Sequence, residues 1–275
     1  MTIRQIRRHA LGIVGVVLAS LAVIVAAAAP WLAPHDPIKS DFAAGLKPPG
    51  TPGHPLGTDQ LGRDLLSRVL YGARIALFIG FCTVLLTALV GGLLGLLAGF
   101  FGGWAGAVVM RIADVQLSFP FILLALTINA IVGLGLRNII ISLSVAGWVV
   151  YARVVRGEVL SVKQRDFVQA AAALGMGRAR MLFGQVLPNV APSIIVVASL
   201  QFSQFIVAEA AISFLGFGVQ PPTPAWGSML SESRDFLYVA WWLAAFPGAA
   251  LALTALGINL VGDWLRDVLD PKLRV

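Results

Sequence analysis

Six long stretches of this sequence are apolar and almost free of charge, and they restrict the chain to one class of fold. The first stretch, residues 10–34, contains no charged side chain. A helix needs roughly 20 apolar residues to cross a hydrocarbon layer about 30 Å thick. Only 12% of the residues are charged, against about 25% in ordinary soluble domains. We therefore predict an all-α integral membrane protein with six transmembrane helices, at 10–34, 75–101, 115–136, 138–152, 190–215 and 236–262.

The spans divide the chain into four regions. Residues 1–34 form an N-terminal segment and the first span, because the apolar run exceeds the roughly 7–15 residues of a signal peptide. An external loop follows, and leucines at helical spacing within 61–70 predict an amphipathic helix at the membrane interface. The other regions are a five-helix transmembrane domain and a polar tail, and the boundaries are 1–34, 35–74, 75–262 and 263–275.

Lysine and arginine are distributed unevenly between the two sides that six spans define. Thirteen lie on the side of both termini and seven lie on the opposite side. Cytoplasmic loops of membrane proteins carry the excess of Lys and Arg. We therefore predict cytoplasmic termini and a cytoplasmic loop at about 156–189. The same excess of Lys and Arg beside the membrane lipid explains the net charge of +7. We therefore predict no nucleic-acid partner.

Residues 165–189 carry their own helix signals within this loop. Asp166 followed by Gln169 matches a capping box at a helix start. Four alanines then favour helix, and Gly175 stands where such a helix would end. A second short helix is predicted at 177–187, and Pro188 would follow its end.

The sequence lacks the motifs of a membrane enzyme. It has no GxxxxGK[ST] loop for nucleotide phosphates and no HExxH or GxSxG motif. The single cysteine, Cys82, and the three scattered histidines predict no metal site. An intramembrane protease would need a second buried acid, a metal set or a Ser/His pair, and only Glu209 lies within a predicted span. We predict a non-catalytic chain without a cofactor of its own.

Two groups of residues within the spans are candidates for specific roles. Gln201, Gln204 and Glu209 share the fifth span and could line a substrate path. Glu209 could equally hydrogen-bond a neighbouring helix or a loop near the end of its span. The repeat Gly91, Gly95, Gly99 predicts a smooth strip for close helix packing, although glycine is common in membrane helices generally.

Several separated blocks resemble one family of transporters. Residues 169–171 (QAA), Gly175, and Leu187-Pro188 resemble the EAA loop of permeases in bacterial binding-protein-dependent ABC importers. Residues 54–74, 209–230 and 259–274 resemble the C-type permease of the dipeptide, oligopeptide and nickel branch. Gln169 and Gln185 replace the glutamate and histidine that are usual in the motif. The replacement of glutamate removes a charge from the expected contact surface.

The resemblance implies a function as well as a fold. It implies a type I ABC importer permease fold in the bacterial cytoplasmic (inner) membrane. The implied partners are a B-type permease, two ATPases that bind ATP and Mg²⁺, and an extracytoplasmic substrate-binding protein. The coupling segment, residues 165–189, would dock on an ATPase through Asp166, Gln169, Ala170, Ala171, Gly175, Leu187 and Pro188. We expect import of di- or oligopeptides, with nickel import as the alternative and a non-transporting membrane scaffold as a third hypothesis.

Overall fold

The computed structural model describes residues 3–269, with side chains described from 11 to 268. Within this range the chain is helical, and its only β-structure consists of two isolated bridges near residues 51–64. The α-helices of the described range are α1 Ile3–Leu32, α2 Leu65–Phe101, α3 Gly103–Leu117, α4 Phe121–Val132, α5 Leu136–Val162, α6 Asp166–Ala173, α7 Arg178–Met181, α8 Leu187–Phe214, α9 Trp226–Glu232 and α10 Trp242–Leu269.

Five of the described helices are continuous, apolar and at least 22 residues long, which is enough to cross a membrane, and α3 with α4, bent by 94°, makes a sixth span if the pair is counted as one. Helices α1 and α10 pack antiparallel, because Gly12 lies against Trp264 and Gly257 lies against Leu18. The start of α1 and the end of α10 therefore lie at the same end of the described bundle, which we call the terminus end. Residues 33–64, which we call the clasp, lie at the opposite clasp end together with the connection from α8 to α10. The all-α membrane fold is confirmed.

Two predicted boundaries near the second and third spans are wrong. Among the described residues no separate amphipathic helix precedes the second span, because α2 begins at Leu65 and continues unbroken to Phe101. Asp64 caps it by accepting a hydrogen bond from the Ser67 backbone N–H at 2.8 Å. The third span begins earlier than predicted, at Gly103, and breaks just before Pro120, which is the N-cap residue of α4.

The later connections are also more ordered than predicted. The fourth span, α5, extends to Val162, so the loop after it begins at 163 instead of 156. The predicted loop at 216–235 contains the short helix α9, and its Trp226 is buried. The predicted polar tail continues α10 as far as Leu269. Residues 270–275 of that tail lie outside the described residues.

Close packing of α2 against α5 forms the centre of the bundle. A Cβ atom added at Gly91 would lie 2.2 Å from the carbonyl oxygen of Trp148, and one at Gly95 would lie 2.4 Å from that of Ala152. Gly99 faces α5 in the same way, with Val159 Cβ 2.8 Å from its added Cβ. Glycine at these positions lets the two backbones approach each other directly.

Candidate functional site

The segment between α5 and α8 contains a short helix that ends in a Schellman turn. After α6 the chain reverses at Gly175, whose φ is +78°. The Gly175 N–H donates to Ala172 O at 3.0 Å, and the Met176 N–H donates to Ala171 O at 3.0 Å. These two bonds close the last turn of the helix. The left-handed φ would cost an L residue about 1–2 kcal/mol, so the helix ends at a glycine, as the sequence predicts.

The start of α6 differs from the predicted capping box. Arg165 occupies the N-cap position and makes no side-chain capping bond, while Asp166 is the first helical residue. Gln169 Nε2 donates to the carbonyl oxygen of Gln164 at 3.1 Å. A glutamate could not make this bond, because an ionised carboxylate only accepts. Gln169 therefore tethers the helix start through its amide, and Asp166 still complements the positive end of the helix dipole.

The helix predicted at 177–187 is present and has Gly177 as its N-cap residue, but the prediction that it ends before Pro188 is wrong. Instead α7 leads into one π-helical stretch, Leu182–Val186, and then directly into α8. Proline lacks an N–H and clashes with the carbonyl four residues earlier. In the π turn, the Leu187 N–H donates to Leu182 O, five residues back. This wider turn lets the helix pass Pro188 without a break.

The consequence is a single long rod that joins the segment to the membrane bundle. It runs for 37 residues, from Arg178 to Phe214. At 1.5 Å per residue, such a rod is about 55 Å long. Asn189 Nδ2 donates to Gln185 O at 2.7 Å and satisfies one carbonyl beside the π turn. A displacement of α7 would therefore be carried along α8.

The inward face of the segment is packed against three helices of the bundle. Val168 of α6 is buried, as are Leu182 and Val186 of the π turn. Lys163 Nζ donates to Phe100 O at 2.7 Å, which places a cation at the negative C-terminal end of α2. The apolar side chains from α2, α5 and α8 in this cluster are Leu96, Phe100, Val155, Val159, Val162 and Val190.

The segment leaves three large apolar side chains exposed, which we call the apolar patch. Leu174 is 89% exposed, and Phe167 and Phe183 are also exposed. Exposed large apolar side chains of this kind are candidates for protein contact. Among the predicted motif residues, Ala171 and Leu187 are half-buried, whereas the exposed ones are Asp166, Gln169, Ala170, Gly175 and Pro188.

Glu209 lies inside the chain near the clasp end of α8. Its side chain is buried, and Ser213 Oγ donates to Glu209 Oε1 at 2.6 Å. The same hydroxyl accepts from the Val219 N–H at 3.1 Å, so the pair fixes the loop after α8. The path role and the loop-anchoring role of Glu209 both stay predictions. Gln201 is buried as well, and Gln204 is exposed on the surface of the helix.

A buried ionic cluster at the clasp end was not foreseen from the sequence. Arg63 Nε lies 2.6 Å from Asp59 Oδ2, and Arg68 also bonds Asp59. Both arginines reach Glu232 of α9, at 2.8 Å and 2.9 Å. The cluster balances two cations with two carboxylates and joins the clasp to α2 and α9. Arg63 and Arg68 reach Asp59 within the same stretch of sequence, but their other common partner, Glu232, lies more than 160 positions away.

The prediction that the histidines are scattered is also wrong. His54 Nδ1 lies 2.9 Å from Asp64 Oδ1, and His35 Nδ1 lies 3.8 Å from the same oxygen. The two imidazole rings stack with their centroids 4.7 Å apart. Residues separated by 29 positions in the sequence thus meet at the N-terminus of α2.

Comparison with known proteins identifies the family of this chain. Residues 91–275 match the model of the family described as "binding-protein-dependent transport system inner membrane component". The chain is a permease of this family. Residues 1–49 of the permease match a second model, the N-terminal transmembrane domain of oligopeptide transport permease C. The resemblance inferred from the motif blocks is therefore confirmed.

Relatives of the permease match it over nearly its full length. The di/tripeptide transport system permease protein DppC of Pseudomonas aeruginosa is 46% identical, over 94% of this chain and 88% of that protein. The dipeptide transport system permease protein DppC of Escherichia coli K12 is 44% identical, over 98% and 91%. The protein of that name from Alkalihalophilus pseudofirmus is 41% identical, over 98% and 89%. The permease is thus a membrane component of an ABC transport system.

Proposed function

We propose that this permease forms half of the translocation pathway of an ATP-driven importer of di- and oligopeptides in the bacterial inner membrane. The three relatives described above, which are 41–46% identical, are named for dipeptide or di/tripeptide transport. The other half of the pathway would be a homologous B-type permease. A binding protein outside the membrane would deliver the peptide.

The observation that carries this proposal is the exposed apolar patch on a rigidly held segment. Leu174, Phe167 and Phe183 face outwards, while the opposite face of the segment is locked to α2, α5 and α8. A cytoplasmic ATPase that covers this patch would move the segment as one body with the long rod of α7 and α8. ATP and Mg²⁺ would bind the two ATPase partners, and this chain would hydrolyse nothing.

The proposed orientation puts the terminus end in the cytoplasm. The coupling segment and the end of α5 before it contain Arg153, Arg156, Lys163, Arg165, Arg178 and Arg180. Two of the seven opposing cations, Arg63 and Arg68, are buried in ion pairs with carboxylates. They are therefore not free to contact lipid headgroups. The excess of available Lys and Arg at the terminus end is larger than the sequence count suggests, and such an excess marks the cytoplasmic side.

Reconstitution of the complete transporter tests the proposal. Proteoliposomes with this chain, its B-type permease, both ATPases and the binding protein should take up a radiolabelled dipeptide only when ATP is supplied. Uptake of ⁶³Ni²⁺ without uptake of peptide would favour the nickel alternative. Absence of any ATP-dependent uptake from an assembled complex would favour the scaffold hypothesis.

A matched pair of variants tests the docking surface separately. Leu174→Asp places a charge on the exposed patch and should release the ATPases from the membrane complex. Leu237→Asp makes the same change at an exposed leucine of the clasp end, and it should leave ATPase binding intact. Co-purification of the ATPases with each variant measures the difference. Equal retention by both variants would contradict docking at the patch.

A further inference from the structure

Three side chains with metal-binding atoms converge at the clasp end, outside the transmembrane bundle. His35 follows α1, His54 lies in the middle of the clasp, and Asp64 is the N-cap residue of α2. One ligand atom from each lies within 4.8 Å of the other two. We propose that His35, His54 and Asp64 bind a divalent transition-metal ion, with Zn²⁺ as the best fit.

The chemistry of the ligand set points to this class of ion. Imidazole nitrogens suit Zn²⁺, Cu²⁺ and Ni²⁺, whereas Mg²⁺ and Ca²⁺ prefer oxygen ligands alone. Two imidazoles and one carboxylate form a three-ligand zinc set that leaves a fourth position for water. The negative charge of Asp64 offsets half of the charge of the ion. The proposed site is therefore a His₂Asp site whose fourth ligand would be a water molecule.

The distances require only a small closure of the site. Zn–N bonds are about 2.0–2.1 Å and Zn–O bonds about 2.0–2.2 Å, so two ligand atoms on one ion are at most about 4.2 Å apart. His54 and His35 already approach the Asp64 oxygen at 2.9 Å and 3.8 Å. The three ligand atoms lie within 4.8 Å of one another. The His35 side chain is 44% exposed, so its ring can rotate to bring its nitrogen closer to the other two ligand atoms.

The carboxylate is held in place independently of any ion. Asp64 Oδ2 accepts from the Ser67 N–H at 2.8 Å and from Ser67 Oγ at 2.7 Å. These bonds leave Oδ1 directed at the two imidazoles. The His35 backbone N–H also donates to Ser67 Oγ at 3.1 Å. Hydrogen bonds of this kind orient the ligands of metal sites and raise metal affinity.

An open cleft of about 830 Å³ gives an ion access to His35. Asp36 and Arg74 line the same cleft, and their opposite charges leave the approach close to neutral. Arg74 lies over the ring of Tyr71, with its guanidinium carbon 5.6 Å from the ring centroid. An ion that enters from this side would meet the half-exposed imidazole first.

A bound ion would join three parts of the chain that are distant in sequence. It would fix the end of α1 and the turn at His54 to the first residue before α2. The ligands lie in the clasp, and the second oxygen of Asp64, Oδ2, caps α2. For these reasons the ion has a structural role and is not the transported substrate. Zn²⁺ should accordingly raise the denaturation midpoint of the wild-type permease.

Metal binding to the assembled transporter, purified without a polyhistidine tag, tests the proposal. Titration with Co²⁺, read by its visible absorption and reversed by Zn²⁺, should show one more equivalent in the wild type than in His35→Gln or His54→Gln. The matched control is His9→Gln, which removes the remaining histidine of the chain and should keep that equivalent. Identical stoichiometry in the wild type and both cluster variants would overturn the proposal.

A second measurement needs no variant and therefore does not depend on correct assembly of one. Diethylpyrocarbonate modifies accessible histidines, and mass spectrometry reports the modification of each histidine. In the wild-type complex, Zn²⁺ should protect His35 and His54 and leave His9 unaffected. Unchanged modification of His35 at saturating Zn²⁺ would contradict the site even if the peptide transport proposed above proceeds normally.

Discussion

Replacement of Gly95 with alanine should force α2 and α5 apart at the centre of the bundle. The added Cβ would lie 2.4 Å from Ala152 O and 2.9 Å from Ala152 Cα. Ordinary van der Waals contact begins at 3.4 Å. The obstacle is backbone, which cannot rotate away as a side chain can, so the two helices must separate by about 1 Å at this level.

The same displacement would loosen the contacts above and below this position. Overpacking of a well-packed interior costs about 1–3 kcal/mol. Alanine also forms helix more readily than glycine, by up to about 1 kcal/mol, and this gain partly hides the cost. The destabilisation caused by the clash must therefore be measured against a second Gly→Ala substitution that gives the same gain in helix propensity without a clash.

Gly92 is the matched control for this comparison. It lies in the same helix, and the nearest atom to an added Cβ there is Ile194 Cδ1 at 3.9 Å. We expect Gly95→Ala to unfold in an SDS titration with a free energy of unfolding about 1–3 kcal/mol below that of Gly92→Ala. Equal stability of the two variants would refute the close-packing account of the α2–α5 interface.

Three further variants test the coupling segment, the loop anchor and the ionic cluster. Gly175→Pro cannot adopt the positive φ and should uncouple ATP hydrolysis from peptide uptake, whereas Gly175→Asn, which tolerates that φ, should remain coupled; equal uptake per ATP would contradict this. Glu209→Ala frees Ser213 and should increase proteolysis of the loop after α8, and parental uptake by an assembled variant would exclude a path role. Arg68→Ala leaves Asp59 buried with one cation fewer and should cost about 3–5 kcal/mol of stability in SDS titration, so a loss below 1 kcal/mol would refute a tightly packed cluster.

The five continuous transmembrane helices were predictable because each of them contains a long apolar run that must span a fixed thickness of hydrocarbon. Helix ends were less predictable. The leucines within 61–70 have the spacing of an interfacial helix, yet Leu65 and Leu70 are buried against the protein. Periodicity shows that a face is apolar, but it does not show whether lipid or protein covers that face.

Within the candidate site, local features could be predicted from the sequence, and features that depend on long-range contacts could not. The turn at Gly175 follows from local backbone geometry, and the sequence predicted it. The π turn that lets the helix continue past Pro188 depends on packing of Leu182 and Val186 against other helices. No local sequence signal indicates it. The meeting of His35, His54 and Asp64 likewise depends on how the clasp folds over the start of α2.

The central claim is that the segment between α5 and α8 contacts the ATPase, and photo-crosslinking tests it most directly. A benzophenone amino acid at Leu174, which is 89% exposed, should cross-link this chain to an ATPase subunit in the assembled transporter. The same probe at Tyr238, a fully exposed residue of the clasp end, should give no ATPase adduct. An ATPase adduct at Tyr238 together with none at Leu174 would contradict the account.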